Sequence, residues 1–282
     1  AIHGTSNGAQ PSTRGGLQLA STVATLRAAR RDPFVAGVVL HVDSPGGSAL
    51  SSDLIHREVE RCKERKPVVA CFGDVAASGG YYVAACADAV VAQPLTVTGS
   101  IGVVAARLVT EPLLEKLGVK VDTIRLAPHS DLLQQPGRLD EAQAAILDRE
   151  IDSFYKAFVG IVARGRGRPA DEIEPLARGR VWSGADAKER GLIDHFGGLD
   201  VAVDQVRERL VGKLSDRARA ALRARVVRVR RLEIPPAEPR KMGEDAVVAM
   251  LAQLHPRAAD LWRLSRGGER VFAYAVDLPE IT

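Results

Sequence analysis

Apolar residues along the chain switch between two spacings. Leu19, Val23 and Leu26 recur at helical spacing and predict a first helix that ends near Asp32-Pro33. Val38 to Val42 is a continuous apolar run, the pattern of a strand buried on both faces of a parallel sheet. Leu50, Leu54, Val59 and Cys62 return to helical spacing, and Val68 to Phe72 reads as the next strand. Short strands are predicted at Ala89 to Ala92 and Ile101 to Val104, a helix near Glu111 to Leu117, and a strand at Val119 to Arg125. Residues 126–139, with Pro128 and Pro136, read as a loop. Asp140 with Gln143 forms a capping box for a long helix whose apolar face carries Leu147, Ile151, Phe154, Phe158 and Ile161. Gly165-Arg166-Gly167-Arg168 reads as a basic turn after it. Ser183 caps a further helix that Gly191 ends. Alternating strands and helices of this kind predict α/β layers.

Near Val211 the pattern changes, and we place a boundary there: residues 1–211 as one domain, residues 212–282 as a basic helical extension. Arginines crowd the stretch from Arg217 to Arg231, which is expected to be helical. Pro235, Pro236 and Pro239 mark a linker, and a second helix is expected over Glu244 to Leu264. Val271 to Val276 is strand-like.

Composition refines this picture. With 46% hydrophobic residues over 282 positions the chain can bury a substantial core. Cys62, Cys71 and Cys86 form no CxxC pattern and read as small core residues. No apolar run reaches the ~18–20 residues that span a bilayer, and no stretch reads as a secretory signal peptide. The chain opens at Ala1 on what reads as a strand end, Ala1-Ile2-His3-Gly4, and is expected to be a processed form or part of a longer protein. The net charge of +4 is concentrated in the Arg217–Arg231 cluster. That cluster suits an anionic membrane surface, a solvated face or a neighbouring subunit. Nucleic acid is not expected, because aromatic residues are 4% of the chain and none interleave with these arginines. No metal-ligand cluster or phosphate loop stands out, so no cofactor or metal is expected.

The chemistry concentrates at two Gly-rich corners that follow the two apolar strands: Asp43-Ser44-Pro45-Gly46-Gly47 and Ala76-Ala77-Ser78-Gly79-Gly80-Tyr81-Tyr82. A serine at a strand-to-helix corner among small residues has an accessible hydroxyl, and its neighbours' N–H groups can receive an oxyanion. Read blandly, Ser78 is a small residue at a tight turn, Gly46 and Gly47 serve turn geometry, and Ser100 is a turn serine. His41, in a strand, reads as a hydrogen-bonded core histidine.

Together with Thr98-Gly99-Ser100-Ile101-Gly102 and the block from Gly179-Arg180-Val181-Trp182-Ser183-Gly184 to Gly191-Leu192-Ile193-Asp194, these corners resemble the signal peptide peptidase A (protease IV) family over about residues 1–210. Each motif alone is weak, since Ser-Pro-Gly-Gly recurs in Clp-type proteases and crotonase-like proteins; four in order are specific. The resemblance implies a Clp/crotonase-like layered α/β fold, an oligomeric serine peptidase with a Ser–Lys dyad, and a place at the bacterial inner membrane or in the periplasm. It implies Ser78 as nucleophile, the N–H groups of Gly47 and Gly79 as oxyanion hole, and Ser100 as the hydroxyl that orients the lysine.

One element departs from the family. The position matching the general-base lysine is Ser130, and no lysine lies between Lys120 and Lys156. Long members of the family are tandem duplications whose N-terminal half supplies the lysine and whose C-terminal half supplies the serine. This chain resembles the C-terminal half, so the lysine is expected from an N-terminal half or a partner chain. His129, beside the lysine position, is a substitute-base candidate. The expected activity is cleavage of apolar, extended peptides such as remnant signal peptides. The rivals are an inactive scaffold or peptide-binding paralogue of the same fold, and a crotonase-like acyl-CoA enzyme.

Overall fold

The computed structural model describes residues 2–3, 17–122, 127, 129, 132, 137–212, 228–232 and 270–277. In chain order the elements are β1 (Ile2–His3), β2 (Leu17–Gln18), α1 (Leu19–Arg31), β3 (Val35–Ser44), α2 (Ala49–Lys63), β4 (Val68–Ala77), α3 (Gly79–Ala84), β5 (Ala89–Ala92) and β6 (Val97–Gly99). There follow α4 (Glu111–Lys116), α5 (Glu141–Arg166), α6 (Ala170–Ile173), β7 (Val181–Ser183), α7 (Gly184–Glu189), β8 (His195–Phe196), α8 (Leu199–Gly212), β9 (Arg228–Leu232) and β10 (Arg270–Asp277).

The α/β expectation holds. One sheet runs β7-β6-β4-β3-β10-β9, with β5 also on β4 and β8 on β5, while β1 and β2 form a separate parallel pair. β3 and β4 pair in parallel, Val38 opposite Val68 through Val42 opposite Phe72. Side chains of β3 alternate between two cores. Val38, Leu40 and Val42 pack in one core with α1–α3 and the end of α5, and Val39 packs in the other beneath α8. Burial on both faces is why this strand is continuously apolar rather than alternating.

The β3–β4 register then slips. After Val42 opposite Phe72 the next pair is Ser44 opposite Ala76, so Gly73 and Asp74 bulge from β4. Asp43 holds the bulge: its carboxylate accepts the Val75 N–H at 3.2 Å and lies where a Cβ on Gly73 would sit. Bulges bend a strand and re-aim the residues beyond them. Past this one, β4 leaves β5 and pairs with β6, Ala77 opposite Gly99.

Several expectations are corrected. Ile101 to Val104 forms no strand: Gly102 packs against the Gly179 backbone, and Val104, 95% exposed, finds no ladder partner. Val119 to Asp122 likewise carries no strand, and residues 123–126 lie outside the described residues. Strands need pairing to satisfy their backbone, whatever their composition. Arg228 to Arg231, expected in a helix, form β9 and pair with β10, so sheet pairing overrides arginine's helix propensity. The rest of that arginine cluster and the helix expected at 244–264 lie outside the described residues. The strand-like end is β10, which runs antiparallel along β3 from Arg270 opposite Asp43 to Asp277 opposite Val35. Arg166 is no solvated turn residue: its side chain is 4% exposed and pairs with Asp194 at 2.8 Å. The three cysteines are buried free thiols, and burial pushes them up to about 11, 11 and 12 for Cys62, Cys71 and Cys86.

Candidate active site

The two Gly-rich corners and the Thr98–Ser100 loop meet at one end of the sheet. β4 ends at Ala77, opposite Gly99 of β6, and the next residues are Ser78 and Ser100. The Ser78 N–H donates to the Gly99 carbonyl at 2.9 Å. Ser78 then turns with φ 51 and ψ −119 into α3, and the Tyr82 N–H donates to its carbonyl at 2.9 Å. Positive φ is rare for a residue with a Cβ and costs on the order of 1–3 kcal/mol, so the surrounding structure imposes it. Ser78 is half-buried, and among the described residues its hydroxyl makes no hydrogen bond.

The first corner packs on the second. A Cβ on Gly46 would lie 2.7 Å from the Gly79 N and 2.8 Å from the Ser78 Cβ, and Gly46 holds φ +113. A Cβ on Gly80 would lie 2.5 Å from the Ser44 carbonyl oxygen. Only glycine allows either approach. The Gly46 N–H is taken by the Ser44 hydroxyl at 3.1 Å, while Gly47 holds φ 148 and is exposed. Gly79, the first residue of α3, is buried, and the first N–H groups of a helix have no partner within it.

Ser100 holds φ 47, its N–H donating to the Arg180 carbonyl at 2.7 Å. The 179–184 block buttresses this loop. Trp182 lies against Gly99, donates its indole N–H to the Leu176 carbonyl at 3.0 Å, and carries the Arg190 guanidinium 4.1 Å over its ring. Thr98 donates to the Ala76 carbonyl at 2.7 Å and ties β6 to β4 beside the site.

Residues 60–212, more than half of the chain, match Peptidase family S49. The chain belongs to peptidase family S49. It is 44% identical over 179 residues to "Serine protease SPPA, chloroplastic" of Arabidopsis thaliana, which covers 63% of this chain and 26% of that protein. It is 39% identical over 189 residues to "Protease 4" of Salmonella typhi, covering 67% and 30% respectively. A "Putative signal peptide peptidase SppA" of Enterococcus faecium is 36% identical over 184 residues, covering 65% and 54%. The chain thus spans between about a quarter and about half the length of these S49 relatives.

Of the residues expected at an S49 site, Ser78, Gly79, the Gly46–Gly47 corner and Ser100 gather at this end of the sheet. Ser130 lies outside the described residues. His129 sits in a turn at φ 60, its carbonyl accepting the Leu132 N–H at 3.1 Å, and no hydrogen bond joins it to Ser78. His41 is in β3 opposite Cys71, away from the corners. Sequence reasoning missed Asp43, which secures the bulge, and the Asp53–Tyr82 contact behind α3. The signal for the first was an acidic residue at the end of an apolar strand; the second joins side chains 29 positions apart and left no local signal.

Proposed function

We propose that this chain is the nucleophile-bearing part of an S49 serine endopeptidase that cleaves apolar, extended peptides such as remnant signal peptides. The observation that carries the reading is Ser78 at φ 51 on a strand-to-helix corner, with a second glycine corner packed against Gly79. In this reading the Gly47 and Gly79 N–H groups receive the oxyanion, and Ser100 orients the base.

The base is a neutral lysine amine from an N-terminal half or a partner chain. It takes the Ser78 hydroxyl proton as Oγ bonds to the scissile carbonyl carbon. The tetrahedral oxyanion collapses, the C–N bond breaks, and the proton passes to the leaving amine. Water then hydrolyses the ester and restores Ser78. Lysine must be neutral for the first step, and burial in an apolar cleft lowers its pKa in that direction.

Two surface features support an apolar substrate and a partner. Leu50 and Leu54, named above for their helical spacing, are 63% and 39% exposed on the first turns of α2 beside Gly47. The segment after Ser100 buries no side chain from Val104 through Val121 and exposes Leu108, Leu113 and Leu117. Clusters of exposed apolar side chains rimmed by polar ones mark contact surfaces. Since β10 already pairs β3 as far as Asp43, a substrate strand adds only at the corner itself. A place at the bacterial inner membrane or in the periplasm belongs to the same proposal; no helix among the described residues is long and apolar enough to cross a membrane.

Fluorophosphonate labelling read by mass spectrometry tests the assignment. Modification is expected at Ser78 and lost in Ser78→Ala. Labelling that survives Ser78→Ala overturns the nucleophile. Folded, peptide-binding protein that never labels, even with a lysine-bearing half present, supports a non-catalytic scaffold instead.

A further inference from the structure

α2 and α3 each begin at one of the two corners. Ser48, next to Gly47, caps α2, and Ser78 immediately precedes Gly79 and α3. Shortly into each helix their side chains meet. The Tyr82 hydroxyl donates to Asp53 Oδ1 at 3.0 Å, and Asp53 Oδ2 accepts from Arg57 Nε at 2.8 Å. Tyr82 also gives its backbone N–H to the Ser78 carbonyl at 2.9 Å. Its buried ring is held by Phe158 at 4.8 Å and by the edge of His56 at 5.4 Å. A short chain of bonds therefore runs from Ser78 through Tyr82 to Asp53, and back along the start of α2 to Gly47.

Two oxyanion donors on separate chain segments need a fixed spacing, held to roughly 0.5 Å by the residues behind them. The β3–β4 ladder alone is a poor guarantor here, because its register slips immediately before both corners. The Tyr82–Asp53 contact beyond the corners adds a second constraint to the direct packing of Gly46 on Gly79 and of Gly80 on Ser44. Resting on the assignment of Ser78 above, we propose that the Tyr82–Asp53 hydrogen bond sets the spacing of the Gly47 and Gly79 N–H groups. Tyr82 and Asp53 are then positioning residues for acylation of Ser78; neither touches the reacting atoms.

The test uses the protein together with its lysine-bearing half. Tyr82→Phe, Asp53→Ala, Asp53→Asn and the Tyr82→Phe/Asp53→Ala pair are compared for saturable phosphonylation of Ser78 by a fluorophosphonate, in which Oγ bonds to phosphorus and fluoride leaves. Affinity is measured for a peptide boronate, which forms a tetrahedral adduct, and for the same peptide as a plain amide. Tyr82→Phe and Asp53→Ala are expected to slow maximal phosphonylation by about tenfold or more. They weaken the boronate in parallel and leave amide-peptide binding unchanged. Asp53→Asn keeps an acceptor for the tyrosine and restores the rate, and the double variant is no slower than Asp53→Ala. Wild-type phosphonylation rates in both single variants overturn the proposal. So does a parallel loss of phosphonylation, amide-peptide binding and melting temperature that Asp53→Asn does not rescue. If Ser78 of the wild type is not the labelled residue, the functional assignment fails and the positioning role fails with it. Labelling of Ser78 that is indifferent to Tyr82 removes the positioning role alone.

Discussion

At the scale of single residues, the site depends on atoms that are absent. Gly46 and Gly80 matter because a methyl group at either would displace the opposite corner. Gly80→Ala would push the Ser44 carbonyl out of place, so its Ser78 labelling is expected to fall at least about tenfold. Gly46→Ala adds backbone strain at φ +113 and is expected to lose about 1–3 kcal/mol of stability as well, measured by denaturant unfolding. Unchanged labelling in both variants would mean that the corners do not need to touch. Much of this was legible in the sequence, because Gly-Gly and Ser-Gly-Gly after apolar strands mark turns that approach each other. The Tyr82–Asp53 contact was not legible. It joins side chains 29 positions apart across two helices, and no local spacing encodes which face of α2 meets α3.

At the scale of elements, α2 carries two buried ionisable groups with opposite histories. Burial holds the His56 imidazole below its ordinary 6.5, although Glu60 and Asp53 pull it up. Burial would raise the Glu58 carboxyl, but hydrogen bonds from Arg27 and Arg61 outweigh this and hold it low. In both cases the unfolded chain binds the proton more readily than the native one, so stability falls with acid. The His56 contribution is complete above 6.5 and is lost as pH falls from there toward the lower native value. The Glu58 contribution is complete above 4.5 and is lost as pH drops through its depressed native value. Thermal unfolding followed from pH 7.5 down to about 2.5 is expected to show both losses, with His56→Gln removing the upper one alone. An identical slope between pH 6.5 and 5 in that variant would contradict the assignment. Periodicity located α2 but not which of its residues are buried. Leu50 and Leu54 are exposed, whereas His56 and Glu58 are buried among the arginines and Tyr82. A hydrophobicity pattern has no means of finding charged residues that are buried with partners.

At the scale of the whole molecule, the sheet is longer than its peptidase motifs. β10 covers the outer edge of β3 from Val35 to Asp43, and β9 covers β10. A chain ending at residue 269 would leave the β3 edge unpaired, and open edges recruit other strands. Such a chain is expected to melt lower and to self-associate in sedimentation; behaviour like the intact chain would mean the β10 pairing contributes nothing. The arginine run at β9 was misread as helical because pairing with a strand some 40 residues on is invisible to local propensity. The exposed apolar side chains between Val104 and Val121, Leu108, Leu113 and Leu117 among them, are the counterpart on the other side of Ser100, exposed where a partner is expected. Introducing Leu108→Glu with Leu117→Glu should reduce labelling of Ser78 in the presence of the lysine-bearing half while leaving the isolated chain folded.

The most direct measurement is fluorophosphonate labelling of Ser78, made on this chain alone and on the protein with a lysine-bearing half. Labelling at Ser78 only when that half is present is the predicted result, since no base reaches the hydroxyl among the described residues. Equal labelling of the isolated chain, or none in either form, would contradict a nucleophile whose base comes from outside.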